Sequence, residues 1–243
     1  MFTPAARTRV RTRLLDRARA DARIVAAAIT GSAARDAEDE WSDVDLAFAV
    51  AEGIAVDAVL ADWTAWITRE LAVIHHWDLA GGGWTYRVFL LPDALEVDLG
   101  FAAASVFGAR GPTFRLVFGE HVECESPAPP EARFLIGLGW HHVLHARSAI
   151  ARRKPWLAEW LIGALRDHVL ELACLRLGLP TAFGRGFDGL PDDVKLPLEH
   201  ALVRSLDARE LGRALDVATS ALVEELGAHD AELADRLAAT LRS

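Results

Sequence analysis

The spacing of apolar residues changes near the middle of the chain, and this change constrains the fold more than any other feature. Before residue 126, apolar runs of strand length alternate with turns, whereas after residue 130 apolar residues recur at helical spacing. The segment between them, Ser126-Pro127-Ala128-Pro129-Pro130, cannot continue a helix. We therefore predict an α+β protein with two domains, residues 1–128 and 129–243.

The first domain is predicted to be a mixed β-sheet with flanking helices. The segments expected to be extended are Ile24–Thr30, Val44–Val50, Trp84–Leu91, Ala94–Phe101 and Phe114–Phe118. Pro92-Asp93 joins the third and fourth segments and predicts a hairpin. A periodic apolar face predicts a helix over about 54–71.

The second domain is predicted to be a bundle of helices. The helices are expected at about 131–152, 156–178, 192–205, 208–226 and 229–241. Pro155, Gly178-Leu179-Pro180 and the segment 184–191 separate the first three of them. Antiparallel helices with short connections form such bundles.

The first 23 residues carry seven arginines and two aspartates, a composition also found in transit peptides. Four apolar residues of this segment, Val10, Leu14, Leu15 and Ala18, fall on one face of a helix. We therefore expect an ordinary first helix that packs through this face.

The size and cysteine content indicate a protein of the cytoplasm. A chain of 243 residues buries enough surface to hold a core without disulfides. Cys124 and Cys174 are far apart and form no Cys-x-x-Cys pair, which is typical of reduced thiols. We find no uncharged apolar run long enough for a membrane helix, so we expect no membrane partner.

The charge distribution limits the partners. The net charge is −9, and residues 24–128 hold 17 acids against 5 bases. Long nucleic acids are poor candidates because phosphate backbones require a basic surface. A small acceptor, and in particular a cationic one, fits this charge better.

The segment with the clearest chemistry runs from Gly31 to Asp45. A strand candidate ends at Gly31-Ser32, and the pair Asp43-Val44-Asp45 opens the next strand. On a strand, Asp43 and Asp45 point to the same face. Two carboxylates this close repel each other unless a cation lies between them, and Mg²⁺ prefers such oxygen ligands.

A second pair of acids repeats this spacing at Glu96-Val97-Asp98. If its strand lies beside the strand that begins near Asp43, Asp98 supplies a third carboxylate. A glycine-serine turn can hold phosphates, and three acids with magnesium can assist displacement at the α-phosphorus of a nucleotide.

Gly31-Ser32, the spacer, Asp43-x-Asp45 and the later Asp98 resemble the signature of the DNA polymerase beta-type nucleotidyltransferase superfamily. The helical second half resembles the bacterial aminoglycoside and lincosamide adenylyltransferases of the kanamycin nucleotidyltransferase kind. This resemblance implies a Mg²⁺-dependent enzyme. Such an enzyme transfers a nucleoside monophosphate, usually AMP from ATP, to a hydroxyl of a small molecule and releases pyrophosphate, and it acts in antibiotic resistance.

The resemblance also implies roles for individual residues. Asp43 and Asp45 would bind the metal, and Asp98 would be a third ligand or the base that takes the acceptor proton. Residues expected to bind the triphosphate are Gly31, Ser32, Arg35 and, from the basic run Arg152-Arg153-Lys154, Lys154. The acidic insert Asp36–Glu40 replaces the small residues common in the family, so this loop is expected to have a different shape.

Two other functions fit the same residues. One is an antitoxin-type enzyme that adenylylates a protein, and the other is a nucleotide-binding module without turnover. A homodimer that completes the cleft is also compatible with the sequence.

Overall fold

The structure is a computed structural model that describes residues 1–126 and 128–241. It separates into two compact units, residues 1–127 and 128–243. Pro127, which belongs to the predicted proline-rich hinge, lies outside the described residues. The first unit combines a mixed sheet with helices and the second is helical, so the predicted α+β class is confirmed.

Two α-helices and six strands, with three short 3₁₀ helices, make up the described part of the first unit. The α-helices and strands are α1 (Pro4–Ala20), β1 (Ile24–Thr30), β2 (Val44–Val50), α2 (Val56–Leu71), β3 (His75–Gly81), β4 (Trp84–Leu90), β5 (Glu96–Ala103) and β6 (Phe114–Phe118). The strand order is β3-β4-β5-β2-β1-β6. Among these strands β2 and β5 pair in parallel, and the other neighbours are antiparallel.

One face of this sheet is buried under α1 and α2. Three large side chains of this core, Phe48, Trp63 and Phe101, lie within 5.5 Å of one another between ring centroids and have no exposed surface. The N-cap Thr3 accepts a hydrogen bond from the amide of Ala6 at 3.2 Å, and Pro4 occupies the first turn. The predicted first helix is therefore confirmed.

The opposite face of the sheet carries small residues at its centre. Those buried there are Ala26, Ala28, Ala47, Ala49 and Ala102, together with Trp84 and Phe107. No α-helix of the first unit contributes to this cluster. This face also carries the candidate site.

Strand β3 is a difference from the sequence prediction, which placed no strand before the glycines at 81–83. Gly82 and Gly83 both have positive φ, +59° and +81°, and form a two-residue turn between β3 and β4. Such turns need positive φ at both positions, which glycine adopts without strain. β3 is an edge strand, and apolar and charged residues alternate in it only over Trp77-Asp78-Leu79, a run shorter than the roughly four residues that identify a strand.

The second unit contains five α-helices within residues 128–241. They are α3 (Ala132–Ala151), α4 (Pro155–Leu177), α5 (Asp192–Glu199), α6 (Ala208–His229) and α7 (Ala231–Leu241). Helix α5 ends six residues earlier than predicted. It contains Pro197, which has no amide to donate and disfavours continuation of a helix.

The helical unit has its own core and an ion pair in which Glu225 is buried and Arg176 is partly exposed. Arg176 of α4 binds Glu225 of α6 through two hydrogen bonds of 2.8 and 3.0 Å. Both cysteines, Cys124 of the first unit and Cys174 of the second, are free thiols. Within the described chain, every helix falls short of the length and apolarity needed to cross a bilayer.

Candidate active site

The pairing of β2 with β5 places two acids side by side. Their parallel register aligns Asp45 with Asp98. Side chains at paired positions of neighbouring strands lie on the same face, with Cβ atoms about 5 Å apart. Val44 and Leu46, which alternate with Asp45, are each 1% exposed and belong to the core under the helices. The face without helices therefore receives both carboxylates.

The acids of this cluster resist being ionised together. Burial raises the pKa of Asp45 to about 8, with further contributions from the charge and hydrogen bonding of Asp43 and from the charges of Asp98 and Glu96. Burial and the charges of Asp43 and Glu96 also raise the pKa of Asp98 to about 6. Like charges in a half-buried site favour uptake of a proton or a cation. Glu96 is exposed, but its charge still adds to the negative potential at Asp45 and Asp98.

One oxygen of this cluster has no partner in the protein. Oδ1 of Asp98 is buried and accepts no hydrogen bond from the described residues. A buried acceptor without a donor is costly, so native proteins retain few of them, commonly where a ligand binds. This oxygen is therefore available to a cation or to a substrate hydroxyl.

The glycine turn after β1 lies against Asp45. Gly31 has φ +61° and ψ −149°, a conformation that is essentially restricted to glycine. A Cβ atom at this position would lie 2.6 Å from Cγ of Asp45, which leaves no room for a side chain. The following turn of 3₁₀ helix, Ser32–Arg35, begins at this contact. The structure thus brings the Gly31-Ser32 turn next to Asp45 of β2.

The acidic loop between Ser32 and Asp43 is fixed to α1, which the sequence analysis did not anticipate. Arg7 is only 4% exposed and donates hydrogen bonds to the carbonyl oxygens of Asp39, at 2.5 Å, and Ser42, at 2.8 Å. Glu38 pairs with Nε of Arg7 at 3.0 Å and with Arg11 at 2.7 Å. The available signal was the complementary charge of the arginine-rich first helix and the acidic insert. These contacts fix the segment that leads into β2.

The structure places two of the predicted phosphate ligands, Arg35 and Lys154, at exposed positions. Arg35 is exposed at the end of the 3₁₀ turn. Lys154 lies in the helical unit, in the connection between α3 and α4, and is also exposed. Their roles at the triphosphate stay predictions.

The three acids fit the chemistry of magnesium binding but do not form a closed metal site. Within residues 1–126 and 128–241, no three His, Cys, Asp or Glu side chains are already arranged as a metal-binding group. Mg²⁺ prefers carboxylate oxygens and keeps several waters, so it needs few protein ligands. Mutual repulsion of Asp43, Asp45 and Asp98, together with the unpaired oxygen of Asp98, suits such a cation.

Comparisons with known proteins give distant structural likenesses and no match in sequence. No family model matches the chain, and no curated protein matches it. Among solved structures, the chain is similar to an aminoglycoside 6-adenyltransferase from Bacillus subtilis, with 12% sequence identity over 93% of this chain and 89% of the other. The TM-score is 0.40. This value is too low to carry an inference, so the site residues themselves have to support any function.

Proposed function

We propose that this protein is a magnesium-dependent nucleotidyltransferase. It would transfer a nucleoside monophosphate, AMP from ATP in the simplest case, to a hydroxyl of a small molecule and release pyrophosphate. The observation that carries the proposal is the aligned pair Asp45 and Asp98, next to a glycine turn that packs on Asp45. This arrangement combines a cation-binding cluster with a turn suited to phosphates.

The residues divide the reaction between them. Asp43, Asp45 and Asp98 would hold Mg²⁺, which when bound neutralises negative charge on the phosphate oxygens. Gly31 and Ser32, with Arg35 and Lys154, would bind the terminal phosphates. The acceptor oxygen forms a bond to the α-phosphorus while the bond from that phosphorus to pyrophosphate breaks, and Asp98 accepts the hydroxyl proton. Asp98 would stay ionised at neutral pH beside bound Mg²⁺, and an ionised carboxylate can accept this proton.

A pyrophosphate-release assay tests this proposal. Wild-type protein is incubated with Mg²⁺, each of the four NTPs, and a panel of aminoglycosides and lincosamides. We expect release with at least one pair, and we expect Asp45→Asn or Asp98→Asn to lower the rate by at least about 100-fold. Asp93→Asn is the matched control, because this exposed acid lies in the connection between β4 and β5.

Three other results have clear meanings. Equal rates of pyrophosphate release in Asp45→Asn and wild type would show that Asp45 takes no part in the reaction. Calorimetric binding of Mg²⁺-ATP without release would indicate a nucleotide-binding module. Absence of both binding and release would refute the proposal.

A further inference from the structure

The face that carries the candidate acids continues over two more strands. Asp98 pairs with Val88 of β4, and Val88 pairs with Trp77 of β3. With Asp45 on the other side of Asp98, these residues form one row across four strands. Because paired residues share a face and strands lie about 4.8 Å apart, Trp77 stands about 10 Å from Asp98 on the same side.

The next row of paired residues on this face contains no charged side chain in β5, β4 and β3. Gly100 pairs with Tyr86, and Tyr86 pairs with Leu79. A Cβ on Gly100 would lie 2.9 Å from Cε1 of Tyr86, so this ring lies directly over the backbone of β5. Its other neighbour is Trp84, stacked at 5.6 Å between ring centroids with an interplanar angle of 11°. We name Trp77, Leu79, Tyr86 and Val88 the apolar strip.

The outer half of the strip, Trp77 and Leu79 of β3, reverses the usual arrangement of an edge hairpin, whereas Tyr86 is half-buried and Val88 is only 6% exposed. Trp77 is 52% exposed and Leu79 is 48% exposed. The opposite face of this hairpin instead carries an ion pair, Asp78 with Arg87 at 2.6 Å, and Arg87 bonds to Thr64 of α2. Apolar side chains that face outward while charged side chains face a helix indicate a binding surface.

The strand order places the apolar strip and the expected phosphate site at Gly31-Ser32 on opposite sides of Asp98. Going along the sheet, β3 and β4 lie on one side of Asp98, and β1 with the Gly31-Ser32 turn lies on the other. In an in-line displacement the attacking oxygen and the leaving group lie on opposite sides of the phosphorus. If pyrophosphate leaves toward Gly31-Ser32, the acceptor therefore approaches from the strip.

We propose that the apolar strip binds the acceptor, and that the acceptor is a hydroxyl compound with a flat or branched apolar body. This inference rests on the proposed function. None of the four strip residues carries a charge that would pair with a polycation, and all four are aromatic or branched aliphatic side chains. The hydroxyl end lies at Asp98, which accepts its proton, and the apolar body covers Trp77 and Leu79.

Saturation-transfer NMR with two probes tests this inference without requiring turnover. Lincomycin has hydroxyls and an apolar body, whereas kanamycin is polar and polycationic. Each probe is measured on wild-type protein, on the double variant Trp77→Ala/Leu79→Ala, and on Ile74→Ala. Ile74 is 64% exposed just before β3 and lies outside the strip, so it matches Leu79 in size and exposure.

We expect lincomycin to bind the wild type and Ile74→Ala, and its affinity to fall at least about 10-fold in the double variant. An unchanged affinity, or preferential binding of kanamycin, would overturn the inference. Light scattering is run in parallel, because a wild-type dimer that dissociates in the double variant would assign the strip to a second copy instead. Calorimetry with Mg²⁺-ATP reports separately on the proposed function, since the double variant should retain nucleotide binding.

Discussion

The acid cluster should make the metal-free protein less stable, and Asp98→Asn tests this directly. The folded protein holds the pKa of Asp98 at about 6, compared with an ordinary value of 3.8. At 1.36 kcal/mol for each pH unit, ionised Asp98 costs the fold about 3 kcal/mol above pH 6. The amide of asparagine removes the charge but still has to be buried, which costs about 1 kcal/mol. We expect a net gain of about 2 kcal/mol.

The sign of the pH dependence follows from proton uptake. Between the two pKa values, the folded protein binds more protons at Asp98 than the unfolded chain, so stability falls as the pH rises from about 4 to 6. The raised pKa of Asp45, about 8, extends this loss toward pH 8. The difference in unfolding free energy between Asp98→Asn and wild type should therefore reach its full value near pH 8 and lie within about 0.5 kcal/mol of zero near pH 4.

Scanning calorimetry in EDTA measures this difference as a shift in the transition of the first unit. For a unit of this size, a gain of about 2 kcal/mol corresponds to roughly 6 °C. Added Mg²⁺ should stabilise the wild type more than Asp98→Asn, because ligand binding to the folded state raises its stability. Asp78→Asn is the control of opposite sign, since the ion pair with Arg87 holds the pKa of Asp78 below its usual value.

Two results would refute this reasoning. A lower melting temperature for Asp98→Asn than for wild type near pH 8 would show that the buried charge does not destabilise the fold. An advantage that is the same near pH 4 and pH 8 would show that the effect is not ionisation.

Two further substitutions test how the site is supported. Gly31→Ala should lower the free energy of unfolding in urea by about 2 kcal/mol and pyrophosphate release by about 100-fold, because the methyl group displaces the Asp45 carboxylate. Gly53, the control, also has positive φ but lies in open space, so Gly53→Ala should keep its activity. Equal losses of activity in both variants would contradict this account. Arg7→Leu should cost about 3 kcal/mol because it leaves two loop carbonyls and a glutamate without this partner. Arg9→Leu on an exposed position of the same helix should have little effect, and a similar loss there would point to helix charge instead.

The sequence predicted the strands that form clear apolar runs. β1 and β2 match the predicted bounds, because their buried runs are flanked by turn residues and polar stretches. The hairpin of β4 and β5 is also confirmed. The edge strand β3 was missed because its segment mixes two histidines, an aspartate and glycine with few apolar residues, whereas the other edge strand, β6, is mostly apolar and was predicted.

The chemistry of the site was also readable in part. The turn at Gly31 follows from a local rule, since glycine alone tolerates this conformation. Asp43 comes just before β2, which begins at Val44, so the predicted alternation of Asp43 with Asp45 on one strand stays a prediction. That Asp98 lies beside Asp45 depended on an assumption about strand order. Neither the anchoring of the acidic loop by Arg7 nor the apolar strip was predicted, because both join residues distant in sequence.

By itself, then, the sequence determined the two-part α+β architecture, the glycine turn and the identity of the three acids, because these depend on periodicity and on the properties of single residues. The tertiary structure alone decided that β5 lies parallel to β2, in a register that aligns Asp98 with Asp45. It also decided that an apolar strip continues from that pair across β4 and β3. Pairing between distant strands is set by the packing of the whole sheet against α1 and α2, and local sequence does not encode it.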